Sequence, residues 1–124
     1  MSPKSSTFKS RDKERHITLS SSRSLRIVRQ KDIIYLQSDN CYTNIYLIDK
    51  SCYLMCKTLK NYEAELNKDL FFRCHKSFLV NRYFIKEIIK QCGEYLLLTT
   101  GVKIPISRRK SLILRRLLFS LAVN

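Results

Sequence analysis

The stretch FFRCHKSFLVN, residues 71–81, interleaves large apolar residues with polar and charged ones. Phe72, Phe78 and Val80 are suited to anchoring a turn in a protein core. His75 and Lys76 stand between them, so the polar residues belong to the same short element. Such a cluster could be an active site, a contact surface for a charged partner, or the hydrated edge of a sheet.

A catalytic interpretation of this stretch lacks partners. Cys74 and His75 are adjacent, and on a strand adjacent side chains point to opposite faces, so they cannot easily form a thiolate–imidazolium pair. The other histidine, His16, lies near the N-terminus. The sequence shows no paired carboxylates, too few metal ligands and no glycine-rich phosphate loop. We therefore predict a protein that is not an enzyme and has no metal site and no cofactor.

The charge of the chain points to a polyanionic partner. The chain has 124 residues, enough for one domain, with 24 Lys+Arg against 10 Asp+Glu and a formal net charge of +14. From Phe71 onward there are 11 basic residues and only two acids, Glu87 and Glu94. Nucleic acid is the first candidate partner for such a chain, and an anionic membrane surface is the second.

The ends of the chain and its cysteines set further expectations. Residues 1–24 are polar, basic and without periodicity, and are predicted to form a disordered tail before a domain over residues 25–120. No apolar run approaches the roughly 20 residues that span a bilayer, and no secretory signal is found, so a cytoplasmic location is expected. The five cysteines are odd in number and lack a C-x-x-C motif, so we expect reduced thiols that pack as small apolar residues.

The hydrophobic pattern predicts a β-rich α+β fold. DIIYLQS (32–38) and YTNIYLI (42–48) read as strands separated by a turn, and several short strands follow residue 70. TLKNYEAELNKD (58–69) predicts a short helix capped by Thr58. A last helix is predicted after Ser107, with an apolar face that consists of Ile113, Leu114, Leu117, Leu118 and Leu121. No adjacent helix pair suggests a helix-turn-helix.

Four stretches in the same order resemble one family. FFRCHKSFLVN resembles the H-x-S-[FY]-x-V-N signature of the LytTR-type DNA-binding domain. DIIYLQSDNCYTNIYLID resembles the opening strands of that domain, and TLKNYEAELNKDLFFRCH resembles the short helix that leads into the signature. GVKIPISRRK resembles its closing G-x-x-I-P-[VI]-S-R before the final helix. The resemblance covers about residues 25–120.

The resemblance implies both a fold and a function. The fold would be an elongated arrangement of small antiparallel sheets with one or two short flanking helices. The function would be that of a bacterial transcription regulator that binds double-stranded DNA sequence-specifically and places loops, not a recognition helix, into successive major grooves. In this sequence the three loops would be residues 39–44, the turn around Lys76, and residues 107–110.

Roles for individual residues follow from the resemblance. Lys76 and Arg109 are assigned to base edges, because long donors on loop tips can reach the groove floor. The first loop adds three candidate contacts: Tyr42, Thr43 and Asn44. Phosphate contacts that set the position of the protein are assigned to Arg73, Arg108 and Lys110. Side chains expected to shape the loop by hydrogen bonds to its backbone are His75, Ser77 and Asn81.

The resemblance also carries expectations about control and partners. Many family members carry an N-terminal receiver domain with a phosphorylated Asp, and residues 1–24 are far too few for a domain of roughly 100 residues. If the chain is complete, we expect a stand-alone relative of response regulators, controlled by a partner protein or by its own expression level. The alternative is an excised DNA-binding module. Tandem half-sites are usual in the family, so two copies per DNA site are expected.

Two other functions stay open at this point. A basic RNA- or ribosome-associated protein would present aromatic platforms on an exposed sheet face, for which Tyr46 and Tyr53 are candidates. These tyrosines also suit cross-strand packing. A membrane-surface protein could use the helix that carries Arg115 and Arg116, although packing on the sheets explains its leucines more simply.

Overall fold

The computed structural model describes residues 16–90 and 93–123, and side chains up to Arg116. Two α-helices are present in these residues, α1 (Leu59–Glu65) and α2 (Arg108–Val123). The strands are β1 (His16–Ser20), β2 (Leu25–Arg29), β3 (Ile33–Asp39), β4 (Tyr42–Leu47), β5 (Cys52–Met55), β6 (Phe71–His75), β7 (Phe78–Asn81), β8 (Ile85–Ile89), β9 (Tyr95–Leu98) and β10 (Lys103–Pro105).

The strands form three antiparallel sheets. The central sheet has the order β5-β4-β3-β7-β6, a second sheet has the order β10-β9-β8, and β1 pairs with β2 alone. The β-rich α+β prediction, with small antiparallel sheets and two helices, is therefore confirmed. Within the described ranges, no helix is long and apolar enough to cross a membrane.

The N-terminal hairpin corrects one prediction. Residues 16–20, assigned from sequence to a disordered tail, form β1 and pair in register with β2, from His16 opposite Arg29 to Ser20 opposite Leu25. The reason is the alternation of Ile17 and Leu19, which are both buried in the core. That pattern spans too few residues to stand out within a basic, polar segment. Residues 1–15 of the predicted tail lie outside the described residues.

Two cores lie on opposite faces of the central sheet. Leu36, Ile45 and Leu79 face the first core, which α1 and the N-terminal hairpin cover. Tyr35 and Val80 face the second core, which the β8–β10 sheet and α2 cover through residues such as Leu96, Ile104 and Leu114. This alternation follows from the pleat, which points successive side chains to opposite faces.

Both helices begin where the sequence predicts. The Thr58 side chain accepts a hydrogen bond from the Asn61 N–H and caps α1. Helix α2 starts directly after Ser107, whose carbonyl oxygen accepts from the N–H groups of Lys110 and Ser111. Leu114 is fully buried, as predicted for the apolar face of α2. Ile113 is 49% exposed, so its assignment to that face is wrong. Leu117, Leu118 and Leu121 lie outside the residues whose side chains are described.

The cysteines pack differently from one another. Cys74 is buried in the second core, as expected for a thiol used as a small apolar residue. Cys41, Cys52 and Cys56 are exposed, so that expectation is wrong for these three. Cys41 lies in a turn, and Cys52 begins the edge strand β5 with its side chain exposed.

Candidate nucleic-acid interface

The first predicted loop is a tight turn between β3 and β4. Asn40 and Cys41 form the turn, and Asp39 pairs with Tyr42 across it. Asn40 adopts a left-handed φ of 58°, which its short polar side chain tolerates better than most residues. Tyr42 is 44% exposed, so its ring is accessible at the end of the sheet and is not part of a core.

All three first-loop candidates belong to β4, and Thr43 and Asn44 lie beyond its first residue. Thr43 is fully buried, and its Oγ1 donates a 2.6 Å hydrogen bond to the carbonyl oxygen of Lys57. The Thr43 side chain therefore faces the first core and connects β4 to the segment before α1. Asn44 is half-buried on the opposite face, with its Oδ1 3.8 Å from the Cys52 Sγ. Of the three candidates, only Tyr42 and Asn44 lie on a face that solvent reaches.

The second predicted loop is the turn between β6 and β7. Lys76 and Ser77 form this turn, and Lys76 is exposed. The Ser77 N–H donates to the His75 Nδ1 at 3.2 Å, and the His75 ring packs edge-on against Phe78 at 5.9 Å between centroids. The His75 ring therefore bridges the two ends of the turn. Ser77 takes part through its backbone N–H, which bonds to His75, and its carbonyl oxygen, which bonds to Ser38.

Asn81 ties the base of the same hairpin to its neighbours. Its side chain is buried, its Nδ2 donates to the Ile33 carbonyl oxygen at 2.9 Å, and its Oδ1 accepts from the Tyr83 N–H at 3.0 Å. These bonds link β7 to β3 and to the turn that follows β7. They are the backbone contacts expected of a shaping residue, and the burial of Asn81 keeps it from solvent.

Arg73 lies close to the turn but points away from open solvent. Its Nη1 is 2.6 Å from the Glu63 Oε1 on α1. Its Nε donates to the His75 carbonyl oxygen at 3.0 Å, and its Nη2 donates to the Lys76 carbonyl oxygen. The guanidinium is thus occupied within the protein, whereas the sequence suggested a phosphate contact.

The third predicted loop is the corner between β10 and α2. The Ser107 N–H donates a 2.8 Å hydrogen bond to the Cys74 carbonyl oxygen, which places this corner beside β6. Arg108 and Arg109 follow and are exposed. Lys110 is half-buried and lines a cavity of about 180 Å³ together with Arg73 and Glu63. Of the cations in this corner, Arg108 and Arg109 are therefore the accessible ones.

Backbone hydrogen bonds bring the three loops to one end of the central sheet. The Ser38 N–H, at the end of β3, donates to the Ser77 carbonyl oxygen at 2.9 Å, so the first and second turns are neighbours. Ser107 joins the third loop to the opposite edge of β6. The three loops therefore follow one another in a row, with the Lys76 turn in the middle.

The exposed cations of the second and third loops, Lys76, Arg108 and Arg109, differ from several other cations in their ion pairing. In the described ranges, ion pairs involve Arg26, Arg29, Lys57, Arg73 and Arg115. None of them involves Lys76, Arg108 or Arg109. A cation that is exposed and unpaired can approach a phosphate or a base edge without first leaving a carboxylate.

The tyrosines considered as RNA platforms are engaged within the protein. Tyr46 stacks on Tyr35 across the β3–β4 pair, with centroids 4.4 Å apart. The Arg26 guanidinium lies 5.3 Å from the Tyr53 ring centroid. Both rings are half-buried and serve packing between strands.

Two acids that support the loops were missed from sequence. Glu63 orients Arg73, and Glu94 accepts from Ser111 and Arg115, which fixes α2 against the loop before β9. No sequence spacing relates a helix residue to a strand residue ten positions later, so the Glu63–Arg73 pair has no local signal. The Glu94 contacts join residues 17 and 21 positions apart.

Comparisons with known proteins agree with this geometry. The family model of the LytTr DNA-binding domain matches residues 23–119. The chain is 38% identical over 104 residues to the sensory transduction protein LytT of Bacillus subtilis, covering 82% of this chain and 43% of that protein. It is 32% identical over 87 residues to the transcriptional regulatory protein LytR of Staphylococcus aureus, covering 68% of this chain and 35% of that protein.

A solved structure shows the same fold. It is the LytTr DNA-binding domain of a Bacillus cereus protein described as a methyl-accepting/DNA response regulator. The TM-score is 0.73 at 27% sequence identity, over 85% of this chain and 97% of that domain. The chain spans less than half the length of the two curated relatives, whereas it matches nearly the whole of this domain.

Proposed function

Because the chain belongs to the LytTR family of DNA-binding domains, we propose that it binds double-stranded DNA sequence-specifically and regulates transcription. The observation that carries this proposal is the row of three loops at one end of the central sheet. Lys76 on its turn and Arg108 and Arg109 at the start of α2 are exposed, and none of the three forms an ion pair with a described residue. Such a row can follow a DNA surface, with donors entering a groove and cations meeting the phosphates beside it.

The proposed roles follow accessibility. Lys76 and Arg109 contact base edges, since Lys76 is exposed on its turn and Arg109 is exposed in the first turn of α2. Arg108 contacts phosphate, and Lys110 supports it from its half-buried position beside the cavity. Tyr42 and Asn44 extend the surface on the first turn. The loops are shaped by His75, Ser77 and Asn81. Thr43 supports the first loop from inside the protein through its hydrogen bond to Lys57.

The protein as a whole is proposed to act as a regulator of the response-regulator type. The relatives are named for sensory transduction and transcriptional regulation, and this chain matches a minority of their length. We propose that two copies occupy tandem half-sites, with each copy placing its loops in successive major grooves. We propose that a partner protein controls its activity. A cytoplasmic location follows from this proposed role.

Selection of bound sequences from a random duplex library tests the proposal. A sequence-specific regulator will enrich a motif, and two copies per site will enrich two half-sites separated by about one or more turns of 10–10.5 base pairs. A library that shows no enrichment over several rounds contradicts sequence-specific binding. Competition by structured RNA tests the alternative of an RNA-associated protein. At constant salt, structured RNA will displace the bound duplex from such a protein at a lower concentration than unlabelled duplex does.

A further inference from the structure

We infer that Arg73 is a positioning residue for DNA recognition, which fixes the turn that carries Lys76 and is itself oriented by Glu63 on α1. The inference rests on the proposed function, because it concerns how the middle loop of the row is held. It assigns Arg73 a role different from the phosphate contact that its charge and place in the sequence suggest.

The geometry of Arg73 is that of a clamp. Its side chain is only 19% exposed, although it lies next to an exposed turn. Two of its nitrogen atoms donate to consecutive carbonyl oxygens of the turn, those of His75 and Lys76. The third nitrogen meets the Glu63 carboxylate at 2.6 Å. Every nitrogen of the guanidinium therefore has a partner within the protein.

These contacts require a guanidinium. Its planar fork directs donors along several fixed directions at once, so one side chain bridges two carbonyl groups and a carboxylate. A lysine ammonium at the same position keeps the charge but is a single point, and it cannot span the three acceptors. Because the turn is held before DNA arrives, less conformational freedom of the turn is lost on binding.

The charge balance separates Arg73 from the proposed phosphate contacts. Glu63 compensates the Arg73 charge at close range, so a phosphate would have to displace a carboxylate to reach the guanidinium. Arg108 is exposed and forms no ion pair within the part of the chain that the structure describes. Helix α1, which meets the Lys76 turn through this pair, thereby becomes a support for DNA recognition.

Affinity of the full chain for the selected target duplex gives the first test. If Arg73 is a clamp, R73K and R73A will both lower target affinity by about 5- to 10-fold. The slope of log affinity against log salt will stay unchanged, since no phosphate contact is removed. If Arg73 is a phosphate contact instead, R73K will retain affinity and R73A will lower the slope by about one ion, which overturns the inference.

The two acids of α1 offer a matched pair of variants. Glu63 pairs with Arg73, whereas Glu65 pairs with Lys57 and does not touch the turn. We expect E63Q to lower target affinity about threefold and E65Q to leave it unchanged. Equal effects of E63Q and E65Q would show that α1 acts only through general stability or charge, and would overturn the inference.

Amide hydrogen exchange in the free protein tests the clamp without DNA. The Ser77 amide donates to the His75 ring and the Ser38 amide donates to the Ser77 carbonyl oxygen, so both report on the turn. R73K and E63Q will speed exchange of these two amides while leaving core amides such as those of Leu36 and Val80 unchanged. Unchanged exchange at the turn would refute the clamp even if affinity falls. If the wild-type chain does not discriminate target from scrambled duplex, the proposed function fails, and the exchange measurement alone decides the clamp.

Discussion

The N–H of Ser107 and the carbonyl oxygen of Cys74 are joined by a 2.8 Å hydrogen bond across the outer edge of the central sheet. This bond lies where β6 would otherwise offer a free backbone acceptor, so the corner before α2 covers part of an exposed sheet edge. It also places Arg108 and Arg109 beside the turn of Lys76. The position of the third loop therefore depends on a backbone contact that side-chain substitutions cannot remove directly.

Lys76 and Arg109 are expected to carry sequence discrimination. K76A and R109A should each lose about 1–3 kcal/mol of preference for the target over a scrambled duplex, because each removes a side chain that we propose donates to a base edge. The measurement is the ratio of the two affinities at one salt concentration. K31A is the control, since Lys31 is exposed at the opposite end of β3. If both loop variants keep the wild-type ratio, the assignment of the reading loops is wrong.

Arg108 is expected to contribute affinity without discrimination. R108A should weaken binding to target and scrambled duplexes by similar factors, and should lower the slope of log affinity against log salt by about one ion. Titrations at several salt concentrations measure both quantities. A loss confined to the target duplex would show that Arg108 contacts a base edge.

Thr43 is expected to affect stability and not DNA recognition. T43V retains the shape of the side chain but leaves the Lys57 carbonyl oxygen without its hydrogen bond, at a cost of about 1–2 kcal/mol in the free energy of unfolding. Urea denaturation measures this cost. T18V is the matched control, because Thr18 is exposed on β1. Loss of target preference by folded T43V would contradict the internal role of Thr43.

Cys74 is expected to resist thiol reagents while the protein is folded. Burial raises the pKa of its thiol to about 12, so almost no thiolate is present near pH 8. Alkylation at that pH, read by peptide mass spectrometry, should modify Cys41, Cys52 and Cys56 but not Cys74. Rapid modification of Cys74 in the native protein would show that the second core opens readily.

The same thiol makes stability depend on alkaline pH. The folded pKa of about 12 lies above the usual value of 9.0, so the folded state binds the proton more tightly than the unfolded state does. The contribution of Cys74 is therefore complete below about pH 9 and falls as the pH rises toward 12. Replacing Cys74 with Ala should remove that part of the alkaline dependence, measured by denaturation at several pH values.

Sequence patterns were sufficient for the fold class, the starts of both helices and the accessibility of Lys76, Arg108 and Arg109. They could have corrected Thr43 too, because it shares the alternate positions of Ile45 and Leu47, which face the first core. Sequence patterns could not predict the contacts of Arg73 with the turn and with Glu63. Its charge is visible in sequence, but its partners depend on how α1 packs beside β6, which no local spacing encodes.

The placement of two cores on opposite faces of one sheet couples the stability of the protein to its recognition surface. β3 contributes Ile33 and Leu36 to the first core and Ile34 and Tyr35 to the second, so this strand cannot separate from its neighbours without opening both. β7 is enclosed in the same way. We therefore expect the hairpin that presents Lys76 to open late, together with the central strands, so that the loop surface persists when the ends of the molecule fray.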